Sequence, residues 1–186
     1  MEKHKLTVFL ITGQPGIGKT TLVGKIAANM RNQCTLQGFF TDEVRENNQR
    51  IGFDVVTMAG KREILAREKV RGNLPKVGKY SVYVENFEKL TLPLLNISSQ
   101  PTQLMIIDEV GKMELLSKRF EEAVRMLVLN EQMALITIPL HTNKRIGLVE
   151  FLKSYPQSRI YTVNHTNRDS LMRTISEDII KSIPKI

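Results

Sequence analysis

The chain has 186 residues, 41% of them apolar and 25% charged, which suits one domain, residues 1–186, built around a single substantial core. Its net charge of +8 and pI near 9.7 admit polyanions as candidate partners. Cys34 is the only cysteine, which excludes an intramolecular disulfide, and no run approaches about 18 apolar residues, so no membrane span is expected.

The opening stretch "KLTVFLITG" (5–13) is β-branched and aromatic and ends on Gly, the pattern of a buried strand. It is too short for a signal peptide with its cleavage site. "GKTTLVGKIAANMRNQ" (18–33) follows as a helix, with Leu22, Ile26 and Met30 on one face, and Cys34 reads as a small packed residue near its end. "LQGFFTDEV" (36–44) is a second strand, "RENNQR" a polar hairpin turn, and "IGFDVVTMAG" (51–60) the antiparallel partner. "KREILARE" adds a candidate strand, and 71–79 reads as a surface loop. "KYSVYVE" (79–85) alternates like a strand, and "NFEKLTLPLLNIS" (86–98) reads as a helix.

Beyond these, residues 103–108 form a strand, and "KMELLSKRFEEAVRMLVLN" (112–130) reads as one amphipathic helix with Leu115, Phe120, Val124 and Leu127 on a common face. "QMALITIPL" is another buried strand, "RIGLVEFLKSY" a helix and "RIYTV" a short strand. "NRDSLMRTISEDIIKSI" closes the chain as a helix capped by Asn167 or Asp169. Strands alternating with helices predict a three-layer α/β fold with a mostly parallel sheet, to which the hairpin adds an antiparallel pair.

Between the first strand and the first helix lies "GQPGIGKTT", a G-x-x-x-x-G-K-T motif in its required strand-turn-helix context. Gly13, Gln14, Pro15, Gly16, Ile17, Gly18, Lys19, Thr20 and Thr21 are thus candidate nucleotide-binding residues. Backbone N–H groups cradle the phosphates, and Gly13, Gly16 and Gly18 permit close approach and positive φ. Lys19 reaches the β- and γ-phosphates, and the Thr20 hydroxyl is a ligand for Mg²⁺.

The cradle explains the acids that end "LMIIDEVGKME". Asp108, at a strand end, is assigned to Mg²⁺, and Glu109 to the water that attacks the γ-phosphorus. The plainer alternative for Glu109 is a solvated loop carboxylate. Adjacent Asp-Glu points to the RecA-like, additional-strand class of P-loop NTPase fold. In that class a polar residue at the end of the next strand often meets the γ-phosphate, which makes Thr137, His141 and Thr142 candidates beside the reading of simple loop residues. Charge on the transferred group calls for a further cation, and Lys112, Arg45 and Arg50 are candidates, each with an exposed hairpin or helix charge as its alternative. Asn164, Asn167 and Arg168, after the last strand, are candidates for contact with the base. "TNRD" is not the N-K-x-D of guanine-specific GTPases.

Five stretches taken together, "GQPGIGKTTL", "GFFTDEVRENNQRIGFDVVT", "VGKYSVYVENFEKL", "IIDEVGKMEL" and "NHTNRDSL", resemble the small P-loop nucleoside-triphosphatases, the family of the cancer-related nucleoside-triphosphatase type. They occur in order over nearly the whole chain. The resemblance implies a monomeric RecA-like domain that hydrolyses several ribonucleoside triphosphates, ATP, GTP, CTP and UTP, to diphosphate and phosphate with Mg²⁺. It also implies site roles for Thr41, Glu43, Arg45, Arg50, Asn167, Arg168 and the run Gly111-Lys112-Met113-Glu114. "PLHTNKRIG" departs from the Pro/Lys/Gly-rich loop of the family, so a sensor role for His141 gains nothing from it.

Two other functions use the same cradle. A small-molecule or nucleoside kinase would need an acceptor pocket and a lid, for which the basic segment 61–79 is a candidate. A nucleic-acid-stimulated ATPase would bind RNA or DNA in a salt-sensitive way; the lack of interleaved aromatics in that segment speaks against it. Cytoplasm is the expected compartment, with a nuclear address left open.

Overall fold

The computed structural model describes residues 5–96, 102–141 and 145–183. Among them, nine strands form one sheet, and their order follows from where the apolar runs lie. β1 (Val8–Gly13), β7 (Leu104–Asp108) and β8 (Ala134–Thr137) are buried at every position, as parallel strands covered on both faces must be. β8 lies between β1 and β7 and pairs in parallel with both. That inserted strand is the arrangement expected of the RecA-like class. β9 (Ser158–Val163) flanks β1 on its other side, and β2 (Leu36–Glu46) flanks β7.

Alternation along the central strands divides the core into two layers. Phe9 and Ile11 of β1, with Leu104 and Ile106 of β7, face α1 (Lys19–Met30) and α5 (Arg168–Ser182). Val8, Leu10, Met105 and Ile107 face the opposite layer, which contains α2 (Val84–Leu95), α3 (Lys118–Leu129) and α4 (Gly147–Ser154). There Phe39 of β2 meets Phe87 and Phe120 edge-on, with ring centroids 5.7 and 6.0 Å away. Each fully buried side chain of this size contributes roughly 1.5–3 kcal/mol, which fixes α2 and α3 on the sheet.

The antiparallel wing extends further than a hairpin. β3 (Gln49–Thr57) returns along β2 through Asn47 and Asn48, whose φ values of 47° and 63° suit a tight turn of the primed type. β4 (Arg62–Glu68), β6 (Tyr80–Val82) and β5 (Lys76–Val77) continue the sheet outward, all antiparallel. Two stretches of the 61–79 segment, residues 62–68 and 76–77, are therefore built into the sheet. Arg62 and Arg67 clasp the nearly buried Asp54 at 2.8 and 2.5 Å, and Lys79 pairs with Glu68 at 2.8 Å.

Several boundaries differ from the sequence reading, and three of the differences have a clear local cause. The surface loop over 71–79 contains the short strand β5, which needs only two residues to pair with β6. The strand expected over 79–85 stops at Val82, because Tyr83 opens α2 and its carbonyl accepts from the Phe87 N–H at 3.1 Å. The long helix expected over 112–130 is two elements, a 3-10 turn over Glu114–Leu116 and then α3. Ser117 divides them: it is extended (φ −84°, ψ 111°), and its hydroxyl accepts from the Phe120 N–H. Serine competes for the backbone in this way and so favours caps over helix interiors. The end of the predicted 86–98 helix and Thr142 lie outside the described residues. Among those residues, no helix is long and apolar enough to cross a membrane.

Candidate active site

Parallel strands deliver their C-terminal ends to one edge of the sheet, where α/β proteins place ligands. Here that edge carries Gly13 from β1, Asp108 from β7 and Thr137 from β8. The loop after β1 turns on Gly16 (φ 74°) and Gly18 (φ 103°), and only these two of its three glycines use the left-handed region. Gly13 is required by packing instead, since a Cβ there would lie 2.9 Å from the Val163 carbonyl oxygen. Ile17 is buried in the α1-side core and anchors the loop from beneath, which leaves its backbone for any ligand contact.

Helix α1 begins without a side-chain cap and without an acid in its first turn. Its first N–H groups thus keep their positive end for an anion. Lys19 Nζ donates to the Gly13 carbonyl oxygen at 3.3 Å, arched over the loop. Gly13, Gln14, Pro15, Gly16, Gly18, Lys19, Thr20 and Thr21 all line a cavity of about 600 Å³. Its far wall includes Thr41, Glu43, Arg50 and Phe53 from the wing, together with Glu109 and His141.

Asp108, at the end of β7, is 1% exposed and lies behind the residues that line this cavity. Its Oδ1 accepts from the Thr137 hydroxyl, which ties the inserted strand to the acid, while Oδ2 is buried with no hydrogen-bond partner. Burial pushes its pKa up, and Thr137, Thr20 and Lys19 oppose that by favouring the charged form. An orphaned carboxylate oxygen close to a threonine hydroxyl suits a hard cation that takes oxygen ligands and keeps part of its water shell. Among the described residues no cluster of three metal-binding side chains exists. Burial likewise raises Glu109, with Lys19 opposing and Asp108 reinforcing.

The candidate cations separate clearly. Arg50 lines the cavity; its Nε donates to the Tyr80 hydroxyl at 3.1 Å, its Nη1 to Glu43 at 2.8 Å, and its guanidinium lies 5.1 Å from the Phe53 ring centroid. Arg45 binds the same Glu43 and the Asn48 carbonyl, and is not among the lining residues. Lys112 is exposed and borders a smaller recess of about 270 Å³ beyond Glu109. Tyr80 and Phe53, the supports of Arg50, escape a sequence reading because both look like ordinary sheet aromatics. The fold brings Tyr80 to Arg50 from β6, while Phe53 lies three residues further along the same strand.

At the other end, Arg168 borders a hollow with Thr21, Leu22 and Lys25, near the last residues of the cradle. Asn167 occupies the cap position of α5, but its side chain is spent on the loop: Oδ1 accepts from the Asn164 N–H at 2.8 Å and Nδ2 donates to the Thr162 carbonyl at 2.9 Å. Asp169 pairs with Lys25 across α1 at 3.5 Å.

Known proteins match this arrangement over almost its whole length. The chain is 40% identical to nucleoside-triphosphatase THEP1 of Thermotoga petrophila, covering 89% of each. It is 42% identical to a cancer-related nucleoside-triphosphatase homolog of Bos taurus, covering 94% of this chain and 95% of the relative. The solution structure of a human cancer-related nucleoside triphosphatase superposes with a TM-score of 0.82 at 38% identity, covering 96% of this chain and all of that one. The crystal structure of THEP1 from Aquifex aeolicus gives 0.79 at 34% identity, covering 90% and 96%. With the family model for NTPase matching residues 8–176, the chain belongs to that family, the nucleoside-triphosphatases.

Proposed function

We propose that this protein hydrolyses ribonucleoside 5′-triphosphates, with Mg²⁺ and with little regard for the base, to the diphosphate and phosphate. The observation that carries the reading is the single cavity shared by Lys19, Thr20 and Glu109. Thr20 and Asp108 would hold Mg²⁺, which when bound neutralises phosphate charge. Backbone N–H groups of the loop and of α1 bind the phosphates, and Lys19 swings from the Gly13 carbonyl to the β- and γ-oxygens. Glu109 orients a water and takes its proton as the water oxygen bonds to the γ-phosphorus and the bond to the β–γ bridging oxygen breaks. Arg50 faces the charge that develops there.

Breadth toward the base follows from the Arg168 end. Arg168 and Lys25 are exposed, and the Asn167 amide is already committed to backbone partners. An exposed guanidinium can stack on the face of any base, which supports the reading of breadth. The test is phosphate release from ATP, GTP, CTP and UTP with Mg²⁺, comparing wild type with Glu109→Gln. All four should be cleaved, and the substitution should cut turnover by about 100-fold or more while nucleotide still binds. Unchanged turnover in Glu109→Gln would remove it from the mechanism.

A further inference from the structure

Past Glu109, on the side away from Arg168, lies the recess of about 270 Å³. It shares Phe53, Glu109 and His141 with the phosphate cavity, so the two meet at the carboxylate assigned to the attacking group. Phe53, Leu65, Val77 and Met113 form its apolar side, with Leu65 only 1% exposed, while Glu109, Glu114, Lys112 and His141 border it with polar groups. A nucleotide seated with its phosphates on the loop and its base toward Arg168 leaves this space unfilled. The volume is near the lower end for small-molecule sites, about 300 Å³.

We propose that the recess is an acceptor subsite for a compact, uncharged alcohol carried on an aromatic or heteroaromatic ring, whose hydroxyl takes the place of water at Glu109. The inference rests on the reading of the cradle and of Glu109 given above. The ring suits the Phe53, Leu65 and Met113 walls, for thioethers and aromatic edges both favour such a partner. An anionic body does not suit the recess, because Glu109 and Glu114 both border it, Glu114 Oε2 accepting from the Gly111 N–H at 3.1 Å, and Lys112 stands exposed at the rim. The step balances without a redox partner. The acceptor oxygen bonds to the γ-phosphorus, the bond to the β–γ bridging oxygen breaks with its electron pair leaving on the nucleoside diphosphate, and the hydroxyl proton passes to Glu109. The products are a nucleoside diphosphate and a phosphate monoester.

The experiment incubates the protein with MgATP and one of benzyl alcohol, 3-(hydroxymethyl)pyridine or 4-(hydroxymethyl)pyridine at about 10 mM, enough to fill a site of millimolar affinity. ADP and inorganic phosphate are assayed separately, and the ester is read by phosphorus NMR. The expected result is ADP in excess of phosphate, matched by ester. Val77→Phe, which fills the recess from its partly buried edge, should lower ester formation by about tenfold and leave phosphate release without alcohol within about twofold. Val77→Leu, a smaller intrusion, should lower the ester part of the way and guards against a misfolded first variant. Absence of ester with all three alcohols, or ester undiminished in both variants, overturns the subsite. Phosphate release without alcohol tests the hydrolase reading separately, so ester without such release would overturn that reading and leave the subsite standing.

Discussion

Glu43 holds two arginines of unequal consequence. Oε1 accepts from Arg50, and Oε2 accepts from Arg45 at 3.1 and 2.6 Å. Arg50 first, then Arg45, keeps the Glu43 carboxyl below its usual range. Surface pairs of this kind contribute little to stability. Their value here is orientation, because Arg50 is also held by Tyr80 and Phe53 and is thereby pre-positioned at the cavity wall. Arg50→Ala is expected to lower kcat by more than about tenfold with KM little changed, and Arg45→Ala by less than about threefold, as read from steady-state phosphate release. The sequence contains both arginines five positions apart and gives no ground for ranking them. Their ranking depends on the β2–β3 register, in which Arg45 and Arg50 are direct partners beside a bulge, and on which one leans over Phe53. The positions of Lys19 and Thr20 at the cavity and of Asp108 at a strand end, by contrast, were legible, because they follow from strict spacing and from the end of an apolar run.

At the scale of elements, periodicity identified the buried strands and missed the breaks between elements. Leu115, Phe120, Val124 and Leu127 all pack toward one core, yet they belong to two elements separated by Ser117. A common apolar face cannot reveal that break, since a 3-10 turn presents nearly the same face as the helix it precedes. The serine does mark it, being a cap type three residues before Phe120. Its hydroxyl also donates to Glu88 of α2 at 2.6 Å, so one side chain starts α3 and joins two helices. Ser117→Ala should cost about 1 kcal/mol, lowering the melting temperature by roughly 2–4 °C in a chain of this size, while Ser117→Thr keeps most of the stability. Thermal denaturation followed by circular dichroism measures both. The outer wing was read in part: β6 lies within the alternating 79–85 run, whereas β5 was missed because a strand of two residues leaves no alternation to detect.

For the molecule as a whole, pH and charge act through particular groups. Glu114 is almost fully buried, and burial, with Glu109 nearby, pushes its carboxyl from 4.5 up to about 8. The folded state therefore binds this proton more tightly than the unfolded chain does. The resulting stabilisation is complete below the ordinary carboxyl range and is lost as pH rises toward 8, at up to about 1.4 kcal/mol per pH unit. Urea denaturation at pH 5.5, 6.5 and 7.5 should show a downward slope that is shallower in Glu114→Gln. The net charge of +8 is distributed in a way that composition alone does not disclose: in the basic 61–79 segment Arg62, Arg67 and Lys79 are paired along the wing with Asp42, Asp54 and Glu68. The sheet order also sets a timetable for biosynthesis. Val8 pairs with Ala134 on one side and Ser158 on the other, so the strand that bears the cradle leaves the ribosome long before either neighbour. At about 5–20 residues per second it waits roughly 6–25 s for β8 alone. Through that interval "VFLITG", apolar but for Thr12, has neither of its sheet neighbours, and the edge of the sheet that carries Gly13 can be completed only once β8 and β9 have been made.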